Sequence, residues 1–234
     1  MLSDTLTNPR DFILDSGPLY HEFHFDSWIK EPWNAYSSLF FLIPVLFWLW
    51  KLRGQYRKYS MITILLPLLF LNALGSTIYH AFRASDLALM LDWMPAMVMN
   101  LILCWYFWNK LIKKPLISGV IVLTFFMLSG FIMSYFGATL GDRAINLSYL
   151  LIGIGFIIPM MTFLINTRFY KWHLLAMTFL FLGIALLFRI LDYPTPNPFP
   201  ELLPQGTHFL WHIVSALAVF SLGFYFKAIR DKNL

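Results

Sequence analysis

The chain has 234 residues, 59% of them hydrophobic and 12% charged, with a mean hydropathy of +0.66 and a formal net charge of +5. A water-soluble domain is nearer half apolar and a quarter charged, so this composition excludes an ordinary soluble globule and points to an integral membrane protein. The basic residues lie in short connections between apolar runs, which argues against nucleic acid as a partner, and the single cysteine, Cys104, lies within an apolar run and excludes an intrachain disulfide.

Residues 1–34 carry polar and acidic groups with no continuous apolar stretch, so no cleavable signal peptide is expected there. Seven apolar runs follow, each near the ~20 residues that cross a bilayer. They are placed at 35–52, 60–82, 87–108, 116–136, 145–165, 172–191 and 207–226. None alternates as a strand would, so each is read as a helix. The expectation is a single all-α domain, a seven-transmembrane helix bundle. Pro44, Pro67, Pro95 and Pro159 fall inside these runs and are expected to kink them. Cys104 is read as a small residue of the interior or the lipid face.

Topology follows from Lys and Arg. One side holds Lys51, Arg53, Arg57, Lys58, Lys110, Lys113, Lys114, Arg168, Lys171, Lys227, Arg230 and Lys232. The other holds only Arg10, Lys30, Arg83 and Arg143. The positive-inside rule then predicts an external N-terminus and a cytoplasmic C-terminus. On the outer side a proline-rich connection (Pro194, Pro196, Pro198, Pro200 and Pro204) is expected to be extended and stiff. Arg189 and Asp192, three apart at the end of the sixth run, are expected to pair. Asn72 and Asn100 are expected to form interhelical hydrogen bonds.

The chemistry concentrates at the outer ends of three runs. His208 and His212 open the last run, four residues apart and so one turn apart on one helix face. His80 closes the second run with Ser76 one turn below it, and Asp92 lies between one and two turns into the third. A polar group in lipid costs roughly 2–3 kcal/mol, so an intramembrane ionisable residue is a functional candidate by default. Three imidazoles can hold a zinc ion while leaving a position open for substrate. Zinc-activated water at that position calls for a base, and Asp92 is the candidate, either for that role or to orient a ligand imidazole. Ser76 is a candidate donor to a developing oxyanion.

These motifs resemble the CREST superfamily of seven-helix membrane hydrolases. Ser-x-x-x-His at the second run, Asp early in the third and His-x-x-x-His opening the seventh fit its pattern of three zinc histidines, a serine and an aspartate. The segment Glu31-Pro32-Trp33-Asn34-Ala35-Tyr36-Ser37-Ser38 is similar to one in bacterial ceramidase-like members. The resemblance implies an alkaline-ceramidase-like amidase acting on ceramide or a related N-acyl lipid, in a bacterial cytoplasmic membrane with its site near the outer face. It also implies calcium near the N-terminal segment. The usual Cys-Glu motif is represented here by Tyr20-His21-Glu22, with His21 in place of cysteine, and Glu22, Asp26 and Glu31 are the candidate oxygen ligands. The alternatives are a receptor-like or haemolysin-III-like member with structural zinc and no turnover, and a metal transporter. Against the transporter, the polar groups cluster at one face and trace no path across the membrane.

Overall fold

The computed structural model describes residues 13–140, 143–192 and 196–234, so Arg10 and Pro194 lie outside the described residues. Among them the chain is all-α: α1 (Pro32–Ser38), a 3-10 turn (Leu39–Phe41), α2 (Leu42–Lys51), α3 (Ser60–Phe82), α4 (Asp86–Ile112), α5 (Pro115–Leu140), α6 (Arg143–Asn166), α7 (Trp172–Asp192) and α8 (His208–Asp231). Among the described residues six spans are long and apolar enough to cross a membrane, with α1, the 3-10 turn and α2 together forming the first; a shorter apolar stretch, Gly153–Asn166, lies in α6. This is the make-up of an integral multi-pass membrane protein. Leu116, Met127, Phe131 and Leu180 are each at least 60% exposed, as expected for side chains that meet lipid rather than water.

Local chemistry explains where elements start and break. The first span begins at Pro32, three residues earlier than its apolar pattern predicts, because proline suits the first helical position, where no N–H is needed. It is not one α-helix. Pro44 has no N–H for the carbonyl of Phe40, and the chain tightens into the 3-10 turn there. Pro67, Pro95 and Pro159 are carried inside α3, α4 and α6 without ending them. Ser85 caps α4 by accepting from the Ala88 N–H at 3.3 Å. The proline-rich connection departs from the extended form expected of it. Leu203 donates to the Phe199 carbonyl at 2.8 Å and Gly206 to Leu203 at 2.8 Å, so it folds in successive turns.

The bundle has two unlike ends. One is a closed apolar core in which Trp48, Leu52, Phe107, Met160, Leu175, Tyr225 and Ile229 pack together, with Cys104 among them. The other gathers the ends of α3 and α7 with the starts of α1, α4 and α8, and there the buried polar residues collect: Glu31, Asn34, Ser37, Ser38, Ser76, His80, Asp192, His208 and His212. Asn72 joins α3 to α4 by donating its side-chain N–H to the Asp92 carbonyl, the interhelical bond expected of it. Among the described residues Asn100 makes no bond between helices; it accepts from Cys104 Sγ at 3.1 Å within α4.

α3 comes close to α4 at Gly75, where an added Cβ would stand 2.2 Å from the backbone oxygen of Leu91. The next residues along each chain are Ser76 and Asp92, so this contact fixes the spacing of two candidate site residues. Backbone cannot swing aside as a side chain can. Gly75→Ala should therefore destabilise the protein by about 1–3 kcal/mol, read as a lower melting temperature in detergent. Gly183→Ala, at a position with open space around it, should leave the melting temperature near that of the wild type.

Candidate metal centre

His80, His208 and His212 converge at the polar end. All three are buried, and their candidate ligand atoms lie within 4.8 Å of one another. The ring centroids are 5.0 Å apart for His80–His212, 5.2 Å for His80–His208 and 4.7 Å for His208–His212. Three buried imidazoles in this arrangement could hold a metal ion.

Each ring is held by a different part of the chain. His80 Nδ1 lies 2.5 Å from Glu31 Oε2, so it donates to the carboxylate and leaves Nε2 bare. That Nε2 is buried and has no partner among the described residues. His212 Nδ1 faces the Asn34 carbonyl at 3.1 Å, Ser37 Oγ at 2.9 Å and Ser38 Oγ at 3.2 Å. Both serine hydroxyls donate to that same carbonyl, at 3.1 and 2.8 Å. Their protons are thus committed, so Nδ1 carries the proton and the His212 lone pair is at Nε2. His208 stacks on Tyr20 with 3.9 Å between centroids, and its buried Nδ1 has no partner among the described residues. Orphaned buried nitrogens are rare and call for an explanation. A metal ion bound by these rings supplies one.

Two carboxylates set the backbone under the site. Asp192 Oδ2 accepts from the N–H groups of Thr207 at 2.8 Å and His208 at 2.6 Å, capping α8 where the Thr207 side chain does not. This replaces the pair expected between Arg189 and Asp192. Arg189 instead donates to the Tyr20 hydroxyl at 3.0 Å. Glu22 plays the matching part at α1, accepting from the N–H groups of Trp33 and, at 2.8 Å, Asn34.

The remaining predicted residues divide. Ser76 is buried with its Oγ 2.9 Å from Ser38 Oγ. Because Ser38 already donates to Asn34, Ser76 is the donor of that pair. Asp92 is half-buried, and its carboxylate has no hydrogen-bond or ion-pair partner among the described residues. It does not orient His80, since Glu31 occupies that position. Glu22, Asp26 and Glu31 do not assemble into an oxygen cage. Glu22 caps α1, Asp26 is exposed to solvent, and Glu31 is fully buried between His80 and Arg83. Sequence reasoning missed Asn34, Ser37 and Ser38 as the support of His212. Their i, i+3, i+4 spacing directly after Glu31-Pro32 puts them on one helix face, but nothing in it names His212 as what that face meets.

No protein-family model and no curated protein matches this chain.

Burial pushes the Glu22 carboxyl up to about 8, against the pull of its two N–H bonds and with the charges of Glu31 and Asp192 adding to the rise. Its folded value lies above its unfolded value. It therefore stabilises the fold fully below pH about 4.5, and that contribution is lost as pH rises through about 8. Glu22→Gln cannot titrate. Its melting temperature should fall less than the wild type's across that window, and parallel pH profiles for the two proteins would contradict the assignment.

Proposed function

We propose that this chain is a zinc-dependent intramembrane amidase that hydrolyses the N-acyl bond of ceramide or a related lipid amide, releasing a fatty acid and an amine. The observation that carries the reading is the set of three buried imidazoles at one end of a lipid-facing bundle, with His80 Nε2 and His208 Nδ1 left bare. The resemblance of the Ser76/His80, Asp92 and His208/His212 motifs to membrane ceramidases supports the substrate class. By the positive-inside rule this end faces outward, with the N-terminus outside, the C-terminus in the cytoplasm and seven crossings in all. A bacterial cytoplasmic membrane is the proposed location.

His80, His208 and His212 would hold the zinc, Glu31 fixing the ring of His80 and Asn34 that of His212. When bound, zinc polarises an acyl carbonyl and makes water acidic enough to lose a proton near neutral pH. Asp92 then accepts that proton and returns it to the departing amine. Asp92 sits deeper on α4 than His80 does on α3. Helical side chains lean toward their own N-termini, so on these antiparallel helices Asp92 leans outward and His80 inward, which narrows the gap. Ser76, the donor of its pair with Ser38, turns its hydroxyl to the carbonyl oxygen as charge builds there. The acyl chain lies among the apolar side chains of the bundle.

Asp92→Asn keeps size and hydrogen bonding but removes basicity. Zinc content should be unchanged while N-acyl hydrolysis falls by roughly 10²–10⁴-fold, both measured on the same purified preparation. Wild-type turnover in this variant would refute Asp92 as the base. Zinc-loaded wild type that cleaves no N-acyl lipid would favour the receptor-like alternative.

A further inference from the structure

The resemblance asks for calcium beside the N-terminal segment, and the side chains there do not fit it. Calcium takes six to eight oxygens. Every carboxylate oxygen in the buried part of that segment already faces an N–H or O–H donor, and Asn34 Oδ1, a buried oxygen without a partner among the described residues, is far short of a calcium shell by itself. Glu22 is spent on Trp33 and Asn34. Glu31 Oε2 faces His80 Nδ1 at 2.5 Å and Asn34 Nδ2 at 3.3 Å, while Oε1 accepts from Arg83 Nη1. Asp15 accepts from Arg83 Nε and Nη2, each at 2.9 Å, from the Gly17 N–H at 2.8 Å and from the Tyr79 hydroxyl at 3.4 Å. Asp26 is exposed and takes no part.

What binds Asp15 and Glu31 together is a guanidinium. Arg83 is 1% exposed, and its planar fork meets Asp15 on one edge and Glu31 on the other. Its backbone is left-handed at φ 48°, directly after α3, and it lies over the Tyr79 ring at 4.8 Å. The same join is made by backbone: Glu31 donates to the His80 carbonyl at 3.1 Å, Lys30 to Ala81 at 2.8 Å and Leu14 to Arg83 at 3.3 Å.

We infer that Arg83 is a built-in cation. Its guanidinium takes up Glu31, one of the carboxylates the resemblance assigns to calcium, and through Glu31 it positions His80 for the metal, so the protein needs no calcium. The inference rests on the three histidines being a zinc site. A fixed positive charge on Glu31 Oε1 leaves Oε2 aimed at Nδ1, and this fixes the tautomer that presents Nε2. A lysine cannot do the same, because one ammonium does not span two carboxylates as a planar fork does.

The test is zinc affinity by chelator competition on the purified full chain in detergent, with calcium either added or removed by a calcium-selective chelator. Wild type should show the same zinc affinity and melting temperature in both conditions. Arg83→Ala should bind zinc roughly 10–100-fold more weakly, the usual loss when a group orienting a ligand histidine is removed. A few millimolar guanidinium should restore part of that loss, and urea at the same concentration should not. Arg83→Lys should fall between the two. Should Arg83→Ala not fold, Glu31→Gln carries the test, with a loss in the same range that guanidinium does not repair. Three results would each overturn the inference: calcium strengthening wild-type zinc binding or raising its melting temperature, wild-type zinc affinity in the variant measured, or a loss in Arg83→Ala that guanidinium leaves untouched. Wild type that binds no zinc would instead overturn the zinc reading itself, and this inference with it.

Discussion

A carboxylate buried in a lipid-facing bundle must be fully paired or it will not stay ionised, and Glu31 is paired on both oxygens. Burial alone would raise its pKa. The hydrogen bond from His80, with the charge and hydrogen bond of Arg83, brings it below the ordinary value instead. The rest of the polar end depends on this residue. It joins the N-terminal segment to the end of α3, sets the ring of His80, and starts the short helix that carries Asn34, Ser37 and Ser38 under His212. Removing one member of such a network leaves an uncompensated charge, at a cost of about 3–5 kcal/mol. Stability and site geometry are thus tied to the same bonds.

The two ends of the bundle divide the work. The closed end, with Phe107, Met160, Tyr225 and Ile229 in contact, supplies apolar packing. The other end holds polar groups that lipid cannot satisfy, and it satisfies them internally by reaching between elements. Glu22 and Asp192 show how. Each is a carboxylate from one segment that caps the helix start of another, and each thereby places a residue of the site: Asn34 on α1 and His208 on α8. The bare nitrogens of His80 and His208 stand out because most of the buried polar groups around them are paired.

The all-α, membrane-spanning character and the grouping of the three histidines were legible in the sequence for a simple reason. Apolar runs of spanning length report helices, and an i, i+4 pair of imidazoles reports a shared helix face whatever the tertiary structure. What was not legible depends on chain reversal. Arg83 reads as an ordinary loop charge until the N-terminal segment folds back over it. Glu31 reads as a calcium ligand until His80 and Arg83 are seen on its two oxygens. The serines after Asn34 look like the start of any amphipathic helix, since nothing local says that His212, far along the chain, arrives beside them. Arg189 and Asp192 were misjudged because the pairing rule considers only their own helix, and their described partners lie on the N-terminal segment and on α8.

The central claim is that three imidazoles on two helices share one metal ion. X-ray absorption at the zinc edge of the purified, zinc-loaded protein tests it without reference to any substrate. The account predicts a shell of nitrogen or oxygen neighbours at about 2.0–2.1 Å with outer-ring scattering from three imidazoles and no sulfur. A chain that retains no zinc, or a zinc shell without imidazole scattering, would contradict it.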